Sequence, residues 1–146
     1  MSLNVRLLLW AVVAQALLTL VLCVWMALRR GADFKAGLDP QAAALRDTKW
    51  SVKTQQVSNA FANQFELPVL FYVVCILFML ATRVNLVTVI LAWLFVLFRI
   101  AHAVVHTGSN IVMRRGAIFG FGLIVLVGMW LWFAFSLAMA TIFLMP

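Results

Sequence analysis

The chain has 146 residues, of which 66% are apolar and 10% are charged, and its mean hydropathy is +1.11. These values lie far outside the range of soluble proteins and indicate an integral membrane protein in a lipid bilayer. The net charge of +7 has no accompanying RNA- or DNA-binding motif, so we expect no nucleic-acid partner. Residues 1–146 are predicted to form a single transmembrane domain.

Four apolar runs are each long enough to cross the hydrocarbon layer, which takes about 20 helical residues. They lack the apolar-polar alternation of barrel strands, so helices that satisfy their own backbone hydrogen bonds are expected. The predicted fold is all-α, an integral membrane four-helix bundle. The predicted spans are residues 7–28, 60–81, 84–105 and 117–144.

The loop of residues 29–57 is the main hydrophilic stretch. Asp39 and Pro40 precede strong helix formers at residues 41–46, which predicts a short helix in this loop. A second helix start is predicted near Asp47 or Ser51. From there a helix of about 30 residues can run unbroken into the second span, with Pro68 able to kink it.

The basic residues predict the orientation, because translocation disfavours moving Lys and Arg across the membrane. The loop of residues 29–57 holds six of them, and Arg114 and Arg115 add two more on the same face, against Arg6 and Arg83 on the other. We therefore expect the first and third loops in the cytoplasm and both termini outside it.

Polar residues recur at helical spacing within the second span. At 100° per residue, Gln56, Asn59, Asn63 and Glu66 fall within an arc of about 80°. A charge such as Glu66 in an apolar span is a functional-site hypothesis and needs a partner. The candidate partners lie on the third span.

Arg99, His102 and His106 share an arc of about 60° on the third span, and Arg115 begins the fourth. Arginine offers a permanent charge with planar donors suited to carboxylates, and amides fix orientation, so the pattern indicates an anion pocket. Alternatively, Glu66 and Arg99 form a structural ion pair between helices, which would account for the same residues without a binding or catalytic role. The sequence contains no Cys/His cluster, so we predict no structural zinc site.

The chain resembles the membrane-associated proteins in eicosanoid and glutathione metabolism, the MAPEG family. Arg29 and Arg30 end the first span, and Arg115 opens the fourth. Residues 63–66, Asn-Gln-Phe-Glu, are similar to the family's Asn-x-x-Glu motif, and residues 99–102 resemble its Arg-x-x-His motif. The run from Glu66 to Tyr72 is more similar to bacterial members, which implies a bacterial inner membrane.

This resemblance implies a homotrimer with a glutathione site between adjacent subunits near the cytoplasmic side. Arg115 would lie nearest the thiolate, as the catalytic residue. The other residues predicted to bind glutathione, six of them from the polar arcs of the second and third spans, are Arg29, Arg30, Asn59, Asn63, Glu66, Arg99, His102 and His106.

Four positions depart from the eicosanoid branch of the family. Asn59 and Ala62 stand where that branch has arginines, and His106 and Phe119 stand where it has tyrosines. Part of the carboxylate clamp is therefore missing.

Three functions remain open on the sequence. The first is glutathione-dependent conjugation or hydroperoxide reduction of lipophilic substrates, with glutathione as cosubstrate. The second is a noncatalytic membrane scaffold or accessory subunit, favoured by Asn59, Ala62 and Phe119. The third is a haem or metal protein using His102 and His106 as ligands, since neutral imidazole binds both.

Overall fold

The computed structural model describes residues 1–41, 43 and 49–144, with side chains as far as residue 139. Helices are the only regular secondary structure in the described part, and four of its segments are long and apolar enough to span a membrane. This confirms the prediction of an all-α protein with four spans. The helices are α1 (Leu3–Lys35), α2 (Val52–Ala62), α3 (Leu67–Leu80), α4 (Leu86–Thr107) and α5 (Val112–Leu144), with a 3-10 turn (Asn63–Phe65) between α2 and α3.

Polar side chains mark the helix starts. Ser51 Oγ accepts a hydrogen bond from Thr54 N at the start of α2, so this helix begins at one of the two predicted starts. Asn85 Oδ1 accepts from Thr88 N at the start of α4, 3.0 Å away. Asp39 Oδ1 accepts from Gln41 N, and most of the helix predicted at residues 41–46 lies outside the described residues.

The second span is interrupted, so the prediction of an unbroken helix is wrong at Glu66. The backbone there has φ −98° and ψ −103°, outside the helical range. Pro68 follows in the first turn of α3 and has no amide hydrogen to donate to the carbonyl of Gln64. The span therefore consists of α2, the 3-10 turn and α3.

The bundle interior differs between its two ends. We call the end that carries residues 36–41, residues 49–51 and the α4–α5 turn the basic end, and the end that carries the α3–α4 turn the opposite end. Large apolar side chains fill the opposite half, among them Leu8, Phe71, Phe78, Phe95 and Met129. Among the described residues, the apolar cluster near the basic end has three buried members, Leu22, Ala60 and Ala103, two of which are small alanines.

A pair of buried amides joins α1 to the 3-10 turn. Gln15 and Gln64 are 0% and 2% exposed, and Gln15 Nε2 donates to Gln64 Oε1 over 3.0 Å. Gln64 Nε2 in turn donates to Ala60 O, one turn earlier in α2. The pair therefore holds the interrupted segment against α1.

We expect Gln64→Met to lower the free energy of unfolding by about 1 kcal/mol, because both polar atoms of the Gln15 amide would then lack a partner in an apolar interior. Thermal unfolding of the detergent-purified protein measures this change. The double variant Gln15→Met/Gln64→Met should lose less than the sum of the single variants, since it leaves no amide unpaired. Additive losses would contradict the pairing.

Candidate functional site

The main-chain carbonyl of Asn63 binds a buried arginine. Arg99 on α4 is 1% exposed, and its Nη2 donates to Asn63 O over 2.7 Å. Where a helix is interrupted within a membrane, groups on neighbouring helices satisfy the backbone atoms that the interruption frees. Arg99 has this role across the α2–α4 contact.

The Asn63 side chain lies between two imidazoles on the same helix. Its Nδ2 is 3.3 Å from His102 Nε2 and 3.4 Å from His106 Nδ1. His102 Nδ1 lies 3.2 Å from the carbonyl oxygen of Arg115, which can only accept, so this nitrogen carries the proton. His102 Nε2 is then the acceptor for Asn63, and the same amide group lies within donating distance of His106 Nδ1, an arrangement that fits two neutral imidazoles.

Arg115 is placed by contacts at both of its ends. Its carbonyl accepts from His102, while its Nη1 donates to Asn110 Oδ1 over 2.8 Å. We call Asn63, Arg99, His102, His106 and Arg115 the Asn63 cluster. The structure thus brings together five of the nine predicted site residues.

One aromatic ring forms an apolar wall of the cluster. Phe119 on α5 lies 6.0 Å from Arg99 Cζ and 5.6 Å from the His102 ring. This position is one at which the eicosanoid branch was expected to have a tyrosine. Phenylalanine gives the cation an aromatic face but no hydroxyl group.

Arg99 keeps unused donors inside the protein. Its Nε and Nη1 are buried and make no hydrogen bond among the described residues. Its charge interacts with that of Glu66, but the ion pair considered on the sequence is absent from this part of the chain, since the only bonded guanidinium nitrogen goes to Asn63 O.

The predicted single stripe on the second span is divided in the structure. Asn63 faces α4, whereas Asn59 and Glu66 are exposed on the outside of the bundle, where Asn59 Oδ1 accepts from Gln55 Nε2 over 3.0 Å. At 100° per residue Asn59 lies about 40° from Asn63, toward one edge of the predicted arc, and the 3-10 turn removes Glu66 from the regular helical spacing. An apolar span therefore presents an uncovered polar face made of Gln55, Asn59 and Glu66.

Arg29 and Arg30 lie at the basic end of α1, each partly buried. The Arg30 guanidinium is 5.1 Å from the centre of the Trp50 ring, and Arg29 interacts electrostatically with Asp33. Asp33 also accepts hydrogen bonds from the backbone and hydroxyl of Ser51, which ties the end of α1 to the start of α2. These contacts link the two arginines of α1 to Asp33 and Trp50, and within the described residues no hydrogen bond joins them to the Asn63 cluster.

Three supporting residues went unrecognised in the sequence. Gln15 is the only amide side chain between residues 7 and 28, and that isolation within an apolar run was a usable signal. Lys53 Nζ donates to Thr107 O and ties α2 to the end of α4. Asn110 follows a Gly-Ser pair, which indicated a turn but not its bond to Arg115.

The histidines bear on the haem or metal hypothesis. In the part of the chain that the structure describes, no three His, Cys, Asp or Glu side chains come together as a metal site. The facing nitrogens of His102 and His106 are each within hydrogen-bonding distance of Asn63. Their neutral form is therefore explained by hydrogen bonding within the protein.

Four spans and a buried cluster of arginine, amide and imidazole groups near one end define a polytopic membrane protein with an interior polar site. The MAPEG family model matches residues 7–135, and the chain belongs to the MAPEG family. Searches of characterised proteins and of solved structures found no significant match.

Proposed function

We propose that the Asn63 cluster binds glutathione and that the protein conjugates glutathione, through its sulfur, to lipophilic electrophiles. The observation that carries this proposal is Arg99, 1% exposed with Nε and Nη1 unpartnered. A buried cation without a counter-anion is costly, and planar guanidinium donors suit carboxylates. An anionic ligand would supply the missing acceptors.

Glutathione fits the residues available. Its carboxylates match the free donors of Arg99, and its ammonium group matches the exposed carboxylate of Glu66. Asn59 and Ala62 add no charge, so Arg99 is the principal carboxylate ligand in this proposal. Both ring nitrogens of His102 are already bonded within the protein, whereas His106 uses only Nδ1 there, so its Nε2–H would donate to the ligand.

Arg115 is the proposed catalytic residue, because a fixed positive charge in a site of low dielectric constant stabilises a thiolate. When bound, glutathione supplies a nucleophilic sulfur: its S–H proton leaves to water at the basic end, and an S–C bond forms as the acceptor's leaving group departs with its electron pair. The bilayer would deliver the lipophilic acceptor. In hydroperoxide reduction, two such thiols would instead be oxidised to a disulfide while the hydroperoxide becomes an alcohol and water.

We also propose a homotrimer with the site between adjacent subunits. The exposed polar face of Gln55, Asn59 and Glu66 supports this assembly, because lipid contact would leave a carboxylate unpaired at an apolar span. A neighbouring copy would cover that face and shield the ligand from lipid.

Glutathione binding to the detergent-purified protein, measured by calorimetry, tests the ligand. We expect saturable binding that Arg99→Ala weakens at least about tenfold, because the carboxylate then loses a charge-assisted bond. Arg83→Ala removes an exposed arginine from the α3–α4 turn at the opposite end, and should bind as wild type does. Absence of binding to the wild type would favour the noncatalytic scaffold.

Arg115→Ala should abolish glutathione-dependent turnover of a lipophilic electrophile while leaving assembly unchanged, because it removes the charge that stabilises the thiolate. The neighbouring Arg114 is exposed at the same helix start, so Arg114→Ala is the matched control and should keep wild-type turnover. Turnover assays and size-exclusion chromatography of both variants test the effects on catalysis and on assembly. Wild-type turnover by Arg115→Ala would refute its role.

We propose that the basic end faces the cytoplasm of a bacterial inner membrane, in a bacterial-type member of the family. The excess of Lys and Arg in residues 29–57 and at residues 114–115 supports this orientation. A C-terminal reporter active only in the cytoplasm should be silent, whereas the same reporter inserted at residue 43 should be active. The opposite pattern would reverse the topology.

A further inference from the structure

The turn between α4 and α5 has a left-handed residue beside the proposed catalytic arginine. Gly108 N donates to Val104 O, and Asn110 N donates to Val105 O over 2.8 Å, so the chain folds back tightly after α4. Asn110 has φ +50°, a conformation that asparagine adopts more readily than most residues. The backbone of the turn thus fixes the position of the Asn110 Cα atom, from which the side chain extends.

The side-chain amide of Asn110, in this turn, accepts a hydrogen bond from the Arg115 guanidinium. Arg115 N donates to Ile111 O within the first turn of α5, and Arg115 Nη1 reaches back to Asn110 Oδ1 over 2.8 Å. No other guanidinium nitrogen of Arg115 makes a hydrogen bond within the described residues. The side chain is therefore oriented through one nitrogen, with its other donors available.

The chemistry of the acceptor matters as much as its position. An amide oxygen is neutral, so it orients the guanidinium without compensating its charge. A carboxylate at residue 110 would hold the same nitrogen but would pair the charge that a thiolate needs. His102 fixes the backbone of Arg115 from the other side, which leaves the side-chain direction to Asn110.

We infer that Asn110 is a positioning residue that directs the uncompensated charge of Arg115 toward the glutathione sulfur. This inference rests on the proposed function. It assigns Asn110 an effect on thiol ionisation, with little effect on the carboxylate contacts that Arg99 provides.

The experiment measures the ionisation of bound glutathione from the ultraviolet absorbance of the thiolate as a function of pH. Glutathione affinity is measured by calorimetry on the same full-length preparations. Asn110→Asp keeps an acceptor and adds a charge, whereas Asn110→Gly tolerates the positive φ and removes the amide. Ser109→Ala, in the same turn, is the matched control, and Arg115→Ala is the reference for complete loss of the charge.

We expect Asn110→Asp to raise the ionisation midpoint by about one pH unit, since it neutralises the charge of Arg115. Asn110→Gly should raise it by less than Arg115→Ala does, while the affinity for glutathione changes little in either Asn110 variant. Ser109→Ala should match the wild type. This pattern would support the positioning role, because a merely structural role would lower thermal stability without moving the midpoint.

Two outcomes would overturn the inference and are distinguishable. Unchanged midpoints in both Asn110 variants, alongside a raised midpoint in Arg115→Ala, would reject Asn110 as a positioning residue and leave the proposed function standing. Lack of glutathione binding by the wild type, or an unchanged midpoint in Arg115→Ala, would reject the proposed role of Arg115 and the inference with it.

Discussion

The hydrogen bond from Arg99 to the carbonyl of Asn63 is the contact on which the rest of the site depends. An arginine buried within an apolar span needs acceptors, and a regular helix offers few because its carbonyls are already bonded. The second span changes from α2 to a 3-10 turn at Asn63, and this carbonyl accepts from Arg99 there. The same residue then presents its amide to His102 and His106.

Burial of these polar groups is possible because the bundle is packed differently along its length. Phe71 and Phe95 stack with ring centres 4.7 Å apart in the opposite half, which forms a dense apolar core. Ala60 and Ala103 near the basic end take up little volume beside the cluster. The Gln15–Gln64 pair joins α1 to the interrupted segment and so links the core to the site.

Helical periodicity predicted the site on α4 better than on the second span. Arg99, His102 and His106 are all buried on one face, as their spacing indicated, because α4 is an uninterrupted helix. Pro68 indicated a kink, yet periodicity could not reveal that Asn63 would face inward while Glu66 faced outward. Nor could it reveal that Arg99 would bind a main-chain oxygen, because every residue carries such an acceptor and sequence does not distinguish them.

The acceptors that orient the cluster are neutral, and this determines its electrostatic character. Arg99 bonds to Asn63 O and Arg115 bonds to Asn110 Oδ1, so neither guanidinium is paired with a carboxylate within the described residues. Glu66 interacts with Arg99 electrostatically but is exposed and forms no ion pair with it within the described residues. Neutral oxygens position cations without cancelling their field, so two fixed positive charges remain available at the basic end. A site built with carboxylates at the same positions would have comparable geometry but little attraction for an anion.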